Sequence, residues 1–223
     1  MEGSGGVQEM RKGKRNNAAA LYNLGCYYYN ARRDYKKALL WFRLAAEKGI
    51  TEAKYFSGLI YHEGMDVQKD LQKAIYWYKE AARDGDEYAQ YNLGYFYYTG
   101  EGVKKNLKLA ELNFFLSAAG GYAAAQFSLG LFYLNNRKIK NWDNCAVFWF
   151  KAPALRDKPC AQKALGVCYY NGWGVKQNRK KAVKLLKKAA EGGDEEAKDL
   201  LIQVKGGKPN KSEKKREHKT QKG

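Results

Sequence analysis

The chain has 223 residues, 45% of them apolar, so it can bury a sizeable core, and disorder throughout is excluded. Its 41 Lys and Arg against 23 Asp and Glu leave a formal charge of +18, which favours acidic partners and says nothing about fold. No apolar run is long enough for a membrane span and the N-terminus has no signal-peptide core, so a soluble, cytoplasmic protein is expected.

In chain order, residues 1–16 read as a disordered basic segment. A helical element Ala-x-x-x-(Leu/Ser)-Gly then recurs at Ala20–Gly25, Ala53–Gly58, Ala89–Gly94, Ala125–Gly130 and Ala161–Gly166, the last four spaced by 36 residues. A second alanine follows at Ala38, Ala74, Ala110, Ala146 and Ala182, also spaced by 36. The first copy has lost three residues between its two anchors, in a turn. Each unit reads as helix, turn, helix.

In the first helix, Ala89, Leu93, Gly94 and Tyr97 form one buried stripe, with the glycine expected to admit a neighbouring backbone. Gly100-Glu-Gly-Val103 and Gly172-Trp-Gly-Val175 make the turn. Asp34, Asp70, Asn106 and Asn178 are in phase as N-caps of the second helix. That helix carries Trp41, Trp77 and Trp149 in one register and stops at Gly49, Gly85, Gly121 and Gly193.

These anchors at fixed offsets resemble the Sel1-like repeat, a relative of the tetratricopeptide repeat, over about residues 17–207. The resemblance implies an all-α fold: a right-handed α-solenoid of antiparallel helix pairs. It would hold five repeats (about 17–49, 50–85, 86–121, 122–157 and 158–193) and a capping helix over 194–205. It also implies a protein-interaction adaptor without catalysis. In the fourth copy the turn reads Asn135-Asn-Arg-Lys-Ile139 and Trp142 stands at the cap position. Pro153 sits inside the second helix, where a kink or early end is expected. The tail 208–223, with seven Lys or Arg against two Glu, reads as disordered.

On the arc opposite the buried stripe, three ladders supply a candidate groove: Tyr22, Tyr55, Tyr91, Phe127; Tyr95, Leu131; and Tyr98, Tyr170. In a solenoid of this resemblance the first helices line the concave side, so these rings, with Asn92 as an amide contact, are expected to hold a peptide or helix of another protein. The alternative for the same ladders is packing of first helices against one another. Lys69, Lys104, Lys105, Lys140, Lys176, Arg179 and Lys180 lie at turns and form a basic ridge. The ridge is either a solvated edge or an alternative surface for nucleic acid, an acidic protein or an anionic membrane. Trp173, at a turn tip, either folds back on Val175 or near Leu200 and Leu201, or serves as a contact point for a partner or a second copy.

Catalysis finds little support. Of two histidines only His62 lies in the repeats, with no nucleophile paired to it, and no phosphate loop or serine elbow occurs. Cys26, Cys145, Cys160 and Cys168 form no C-x-x-C pair and read as free thiols, so neither metal nor cofactor is expected. Some secreted, cysteine-rich Sel1-like proteins have been linked to β-lactams, but their disulfide pattern is not reproduced here. A monomer is favoured.

Overall fold

The computed structural model describes residues 17–206. The two basic segments expected to be disordered, 1–16 and 208–223, lie outside the described residues. Every described element is helical. The order is α1 (residues 17–27, continuing into a π-helical turn, Tyr28–Arg32), α2 (Tyr35–Glu47), α3 (Thr51–Glu63), α4 (Leu71–Arg83), α5 (Glu87–Thr99), α6 (Leu107–Ala119), α7 (Ala123–Asn135), α8 (Trp142–Leu155), α9 (Pro159–Asn171), α10 (Arg179–Glu191) and α11 (Glu195–Lys205). They gather into two compact units, one ending at Tyr122 and one starting at Ala123. Each is a stack of α-solenoid helix pairs.

Helix starts follow from the caps. The Asp34, Asp70 and Asn178 side chains accept from Lys37 N, Lys73 N and Lys181 N at 2.9–3.0 Å, and Asn106 accepts from Lys108 N and Leu109 N at 3.1 Å. Each such cap is worth about 1 kcal/mol. In the first copy, where three residues are missing, the π-helical turn and the left-handed Arg33 (φ 52°) deliver the chain to Asp34. Second helices end before the in-phase glycines Gly49, Gly85, Gly121 and Gly193, all at positive φ; the fourth copy uses Asp157, at φ 54°.

The small-residue anchors have a specific partner. A methyl built on Gly94 would lie 2.6 Å from Phe114 Cδ1, one on Gly58 2.8 Å from Tyr78 Cδ1, and one on Gly25 2.5 Å from Phe42 Cδ1. What the glycine admits first is therefore an aromatic side chain of the second helix; the expected backbone approach accompanies it at Gly58 and Gly166, where the methyl would lie 3.2 Å from Ala74 O and 3.4 Å from Ala182 O. Phe42, Tyr78, Phe114, Phe150 and, in the fifth copy, Leu186 form this ladder, all buried. Fully burying such a side chain contributes about 1.5–3 kcal/mol, so this ladder is a large part of the core, beside Ile60, Phe96, Leu129 and Phe132. Ala53, Ala89, Ala125 and Ala161 are fully buried, whereas Ala20 is exposed on α1, where no described helix precedes it.

In the fourth copy the early helix end expected at Pro153 does not occur. Helix α8 is not shortened by Pro153; it runs to Leu155, the position in phase with Ala119, the end of α6. The proline sits in the last turn, where it forfeits one hydrogen bond, and its ring is buried. Trp142 does not cap. Asn141, left-handed at φ 58°, precedes the helix with no side-chain cap bond, and Trp142 is itself buried. At the other end, α11 starts at Asp194, which accepts from Ala197 N at 3.0 Å, and buries Ala197 and Val204 against Leu186 and Ala189 of α10.

Candidate functional site

In the first unit, the helical period places the predicted tyrosines on one face of α1, α3 and α5. Their rings form a continuous run. Tyr22 lies 6.3 Å from Phe56, Phe56 5.4 Å from Tyr55, and Tyr55 5.6 Å from Tyr88. Tyr88 then lies 4.9 Å from Tyr122, Tyr122 5.3 Å from Tyr91, and Tyr91 5.9 Å from Phe114. Edge-to-face and tilted pairs at these separations contribute about 0.5–1.5 kcal/mol each beyond area burial. The expected groove rings thus divide. Tyr22, Tyr55 and Tyr91 are half-buried in this run, while Tyr95, at 48% exposure, stands out from it.

Tyr88 and Tyr122 complete the run, yet sequence reasoning passed them over. The residues in phase with them are Glu52 and Ala124, and Ile50 and Asp86, so no ladder pointed there. Their signal was an aromatic at a phase that other copies give to polar or small residues.

Burial sets the protonation of this face. It pushes the Tyr55 hydroxyl up to about 12, with the Asp86 charge adding to it, and raises Tyr22, which also meets Cys26. The Tyr22 and Tyr55 hydroxyls are therefore neutral at physiological pH. Beneath them Tyr78 is fully buried, its hydroxyl 3.4 Å from His62 Nδ1 and close to the Asn92 side chain. Asn92, expected as a contact for peptide backbone, is thus near the core hydroxyl as well.

Asp86, the N-cap of α5, illustrates a cost of the same crowding. Its carboxylate accepts from Ala89 N at 2.7 Å, yet burial, followed by repulsion from Glu87 and Glu52, raises its pKa. A raised folded-state pKa means that the group stabilises the fold below the unfolded carboxylate range and that this stability is lost as pH rises through the folded value. Asn caps equally well and carries no charge. Asp86→Asn is therefore expected to match the parent at acid pH and exceed it at pH 7 by a few tenths of a kcal/mol, discounted because the group keeps some contact with water. Urea melts at pH 3.5 and pH 7 check this.

Tyr98 joins the two predicted surfaces: its ring is 6.5 Å from Phe114 and carries Lys105 Nζ at 5.6 Å from its centroid. Lys69 and Lys104 are exposed in the first unit, Lys69 pairing with Glu101 at 3.8 Å.

In the second unit Phe127 packs 5.7 Å from Phe150, Leu131 is 36% exposed, and Tyr170 lies against the Leu186 cluster. Lys163, in phase with the tyrosines, is tied to the terminal helix and its cap by Glu196 at 2.7 Å and Asp194 at 3.0 Å. Lys140, Lys176, Arg179 and Lys180 are exposed, and Arg179 Nη2 donates to Lys205 O at 2.9 Å. Trp173 is half-buried, though not where expected. It packs edge-on to Trp142 at 5.9 Å, with the Arg137 guanidinium 4.5 Å from its ring, rather than on the terminal helix.

Among the described residues no three His, Cys, Asp or Glu side chains cluster as a metal site, and no helix is long and apolar enough to cross a membrane. All four cysteines are free, and burial pushes the Cys168 thiol up to about 12, away from reactive thiolate.

The Sel1 repeat family matches residues 18–50, 51–86, 87–122, 123–141 and 161–194. Among solved structures, c5321, a protective antigen of uropathogenic Escherichia coli strains displaying an SLR fold, is 28% identical with a TM-score of 0.80 over 90% of this chain. A Sel1 repeat protein from Oxalobacter formigenes is 30% identical with a TM-score of 0.67 over 75% of this chain. The present chain spans only 44% and 49% of those two. A putative Sel1 repeat protein from Klebsiella pneumoniae, 21% identical with a TM-score of 0.52, shares the fold over 90% of this chain and 99% of its own. No curated protein matches the sequence.

Proposed function

The chain belongs to the Sel1 repeat family, and from that premise we propose that it is a non-enzymatic binding module whose tyrosine face on α1, α3 and α5 takes a peptide or helix of a partner protein. Repeats of this family are generally scaffolds for protein–protein interaction. The run of rings from Tyr22 to Tyr91 packs first helices together, and the observation that carries the reading is what it leaves exposed: Tyr95 and Tyr88, at 48% and 44%. Tyrosine suits such a face: it supplies large contact area at low entropic cost and keeps a hydroxyl for polar contacts. In the second unit Phe127, Leu131 and Tyr170 are the corresponding anchors.

The test is panning of a phage-displayed random peptide library on the parent and on the Tyr95→Ala/Tyr98→Ala variant. Clones that bind through this face are expected to lose about tenfold or more in affinity, as at interface hot spots. Urea melts of the variant are expected within about 1.5 kcal/mol of the parent, the size expected of partly exposed substitutions. Retained affinity in every clone, or a collapse of stability, overturns the assignment of these rings to a binding face.

A further inference from the structure

A different surface carries an open cleft. In the second unit a cleft of about 470 Å³ opens between α8, α9 and α10. Its floor is apolar, built from Ala154, Leu165, Tyr169 and Leu185, with Leu155 of α8 at its mouth and 83% exposed. Its rim is cationic: Lys151 from α8, and Lys181, Lys184 and Lys188 from α10, all exposed. One carboxylate lines it, Asp157, which pairs with Lys188 at 3.6 Å and accepts from Gln162 Nε2 at 2.9 Å. Lys181 Nζ also lies 5.2 Å from the centroid of the Tyr169 ring.

The repeat explains why the space is there. Leu185 is in phase with Trp77, and in the first unit Trp77 packs against the core of Ala46, Ala53 and Ile60. An isobutyl group in place of an indole leaves the corresponding space in the second unit unfilled. The charge has a parallel origin: Lys184 stands where Leu40, Tyr76 and Leu112 stand in the first unit.

We propose that this cleft is a docking site for an acidic amphipathic helix of another protein, with a Leu or Phe seated on the Leu165–Leu185 floor and carboxylates on the lysine rim. Lys181, Lys184 and Lys188 fall at i, i+3 and i+7, a cationic row about 10 Å long at 1.5 Å rise per residue. A partner helix with carboxylates at the same spacing matches that row, whereas a fatty acid brings one charge to four lysines. The chain's own charge of +18 and its lysine-rich tail argue against a second copy or the tail as occupant. The site is independent of the tyrosine face.

The same displayed peptide library tests it, panned in about 150 mM salt, where surface charge is screened beyond roughly 8 Å. Two variants of the full chain are compared with the parent: Leu185→Trp, which fills the cleft as Trp77 fills its counterpart, and Lys184→Glu/Lys188→Glu, which leaves the floor intact and alters only exposed side chains. The expected result is a class of clones with several Asp or Glu around a Leu or Phe. These lose about tenfold or more in affinity on both variants and keep it on Tyr95→Ala/Tyr98→Ala. Leu185→Trp is expected to melt no lower than the parent; if it fails to fold, the lysine pair decides alone. Three results overturn the proposal: no acidic class is enriched, the acidic clones bind a folded Leu185→Trp or the lysine-reversed variant undiminished, or laurate fills the cleft and the acidic clones do not compete with it.

Discussion

Replacing Gly94 by alanine is expected to destabilise the chain by about 1–2 kcal/mol, even though alanine is favoured over glycine in a helix by about 1 kcal/mol. The new methyl would lie 2.6 Å from Phe114 Cδ1 and 3.0 Å from Phe114 Cγ, atoms near the root of the ring that cannot swing away within a buried site. Overpacking of this kind typically costs about 1–3 kcal/mol and here outweighs helix propensity. The fifth copy shows how the conflict is relieved. A methyl on Gly166 would stand 3.1 Å from Leu186 Cγ, a branched chain that can yield by a few tenths of an ångström. Phe114→Leu in the Gly94→Ala background is therefore expected to recover at least half of the loss, although Phe114→Leu alone destabilises. That inversion is a coupling between contacting residues that a double-mutant cycle in urea measures. Additive losses would show that Phe114 is not what the glycine accommodates.

The same pair shows how much of the molecule was legible in the sequence. The alanine and glycine anchors stand out because close helix contact tolerates only small residues there, so the helix pairs, their caps and the terminal helix could be read directly. The partner of the glycine could not. Phe42 follows Trp41, Tyr78 follows Trp77 and Phe150 follows Trp149, and two adjacent apolar residues on a helix do not announce which one turns inward. Structure resolves it: Phe42, Tyr78 and Phe150 are fully buried, and the tryptophans are only half-buried. The tyrosine face was anticipated through its ladders, but not Tyr88 or Tyr122, which break them. The lysine-rimmed cleft left no local signature, since it arises from three helices and from a leucine where an in-phase copy has an indole. At Pro153 the expected early end fails for the opposite reason. Its local cost is real, but its place in the last turn confines the damage to one hydrogen bond.

Gly174→Ala is expected to destabilise the second unit by about 3 kcal/mol or more. Two costs add. Gly174 sits at φ 62°, a left-handed conformation that charges an L-residue about 1–2 kcal/mol. The methyl would also overlap the carbonyl of Asp143 and lie 2.7 Å from Asn144 N, so the first turn of α8 would have to move. The in-phase positions isolate the second cost. At position 66 the chain already carries an aspartate at φ 52°, and a methyl on Gly102 (φ 68°) would meet only side-chain atoms, Ile75 Cδ1 at 2.9 Å and Leu71 Cβ at 3.1 Å. Gly102→Asp is accordingly expected to cost about 1–2 kcal/mol, mostly backbone strain since the Ile75 Cδ1 methyl can yield, and Gly174→Asp at least about twice that. The turn at Gly174 also holds Trp173 against Trp142, so its displacement carries a spectroscopic mark. The near-ultraviolet circular dichroism of the coupled indoles is expected to fall in the Gly174 variants and to persist in Gly102→Asp. Equal losses of stability at the two glycines, with the indole signal intact, would show that the backbone of α8 does not close against Gly174.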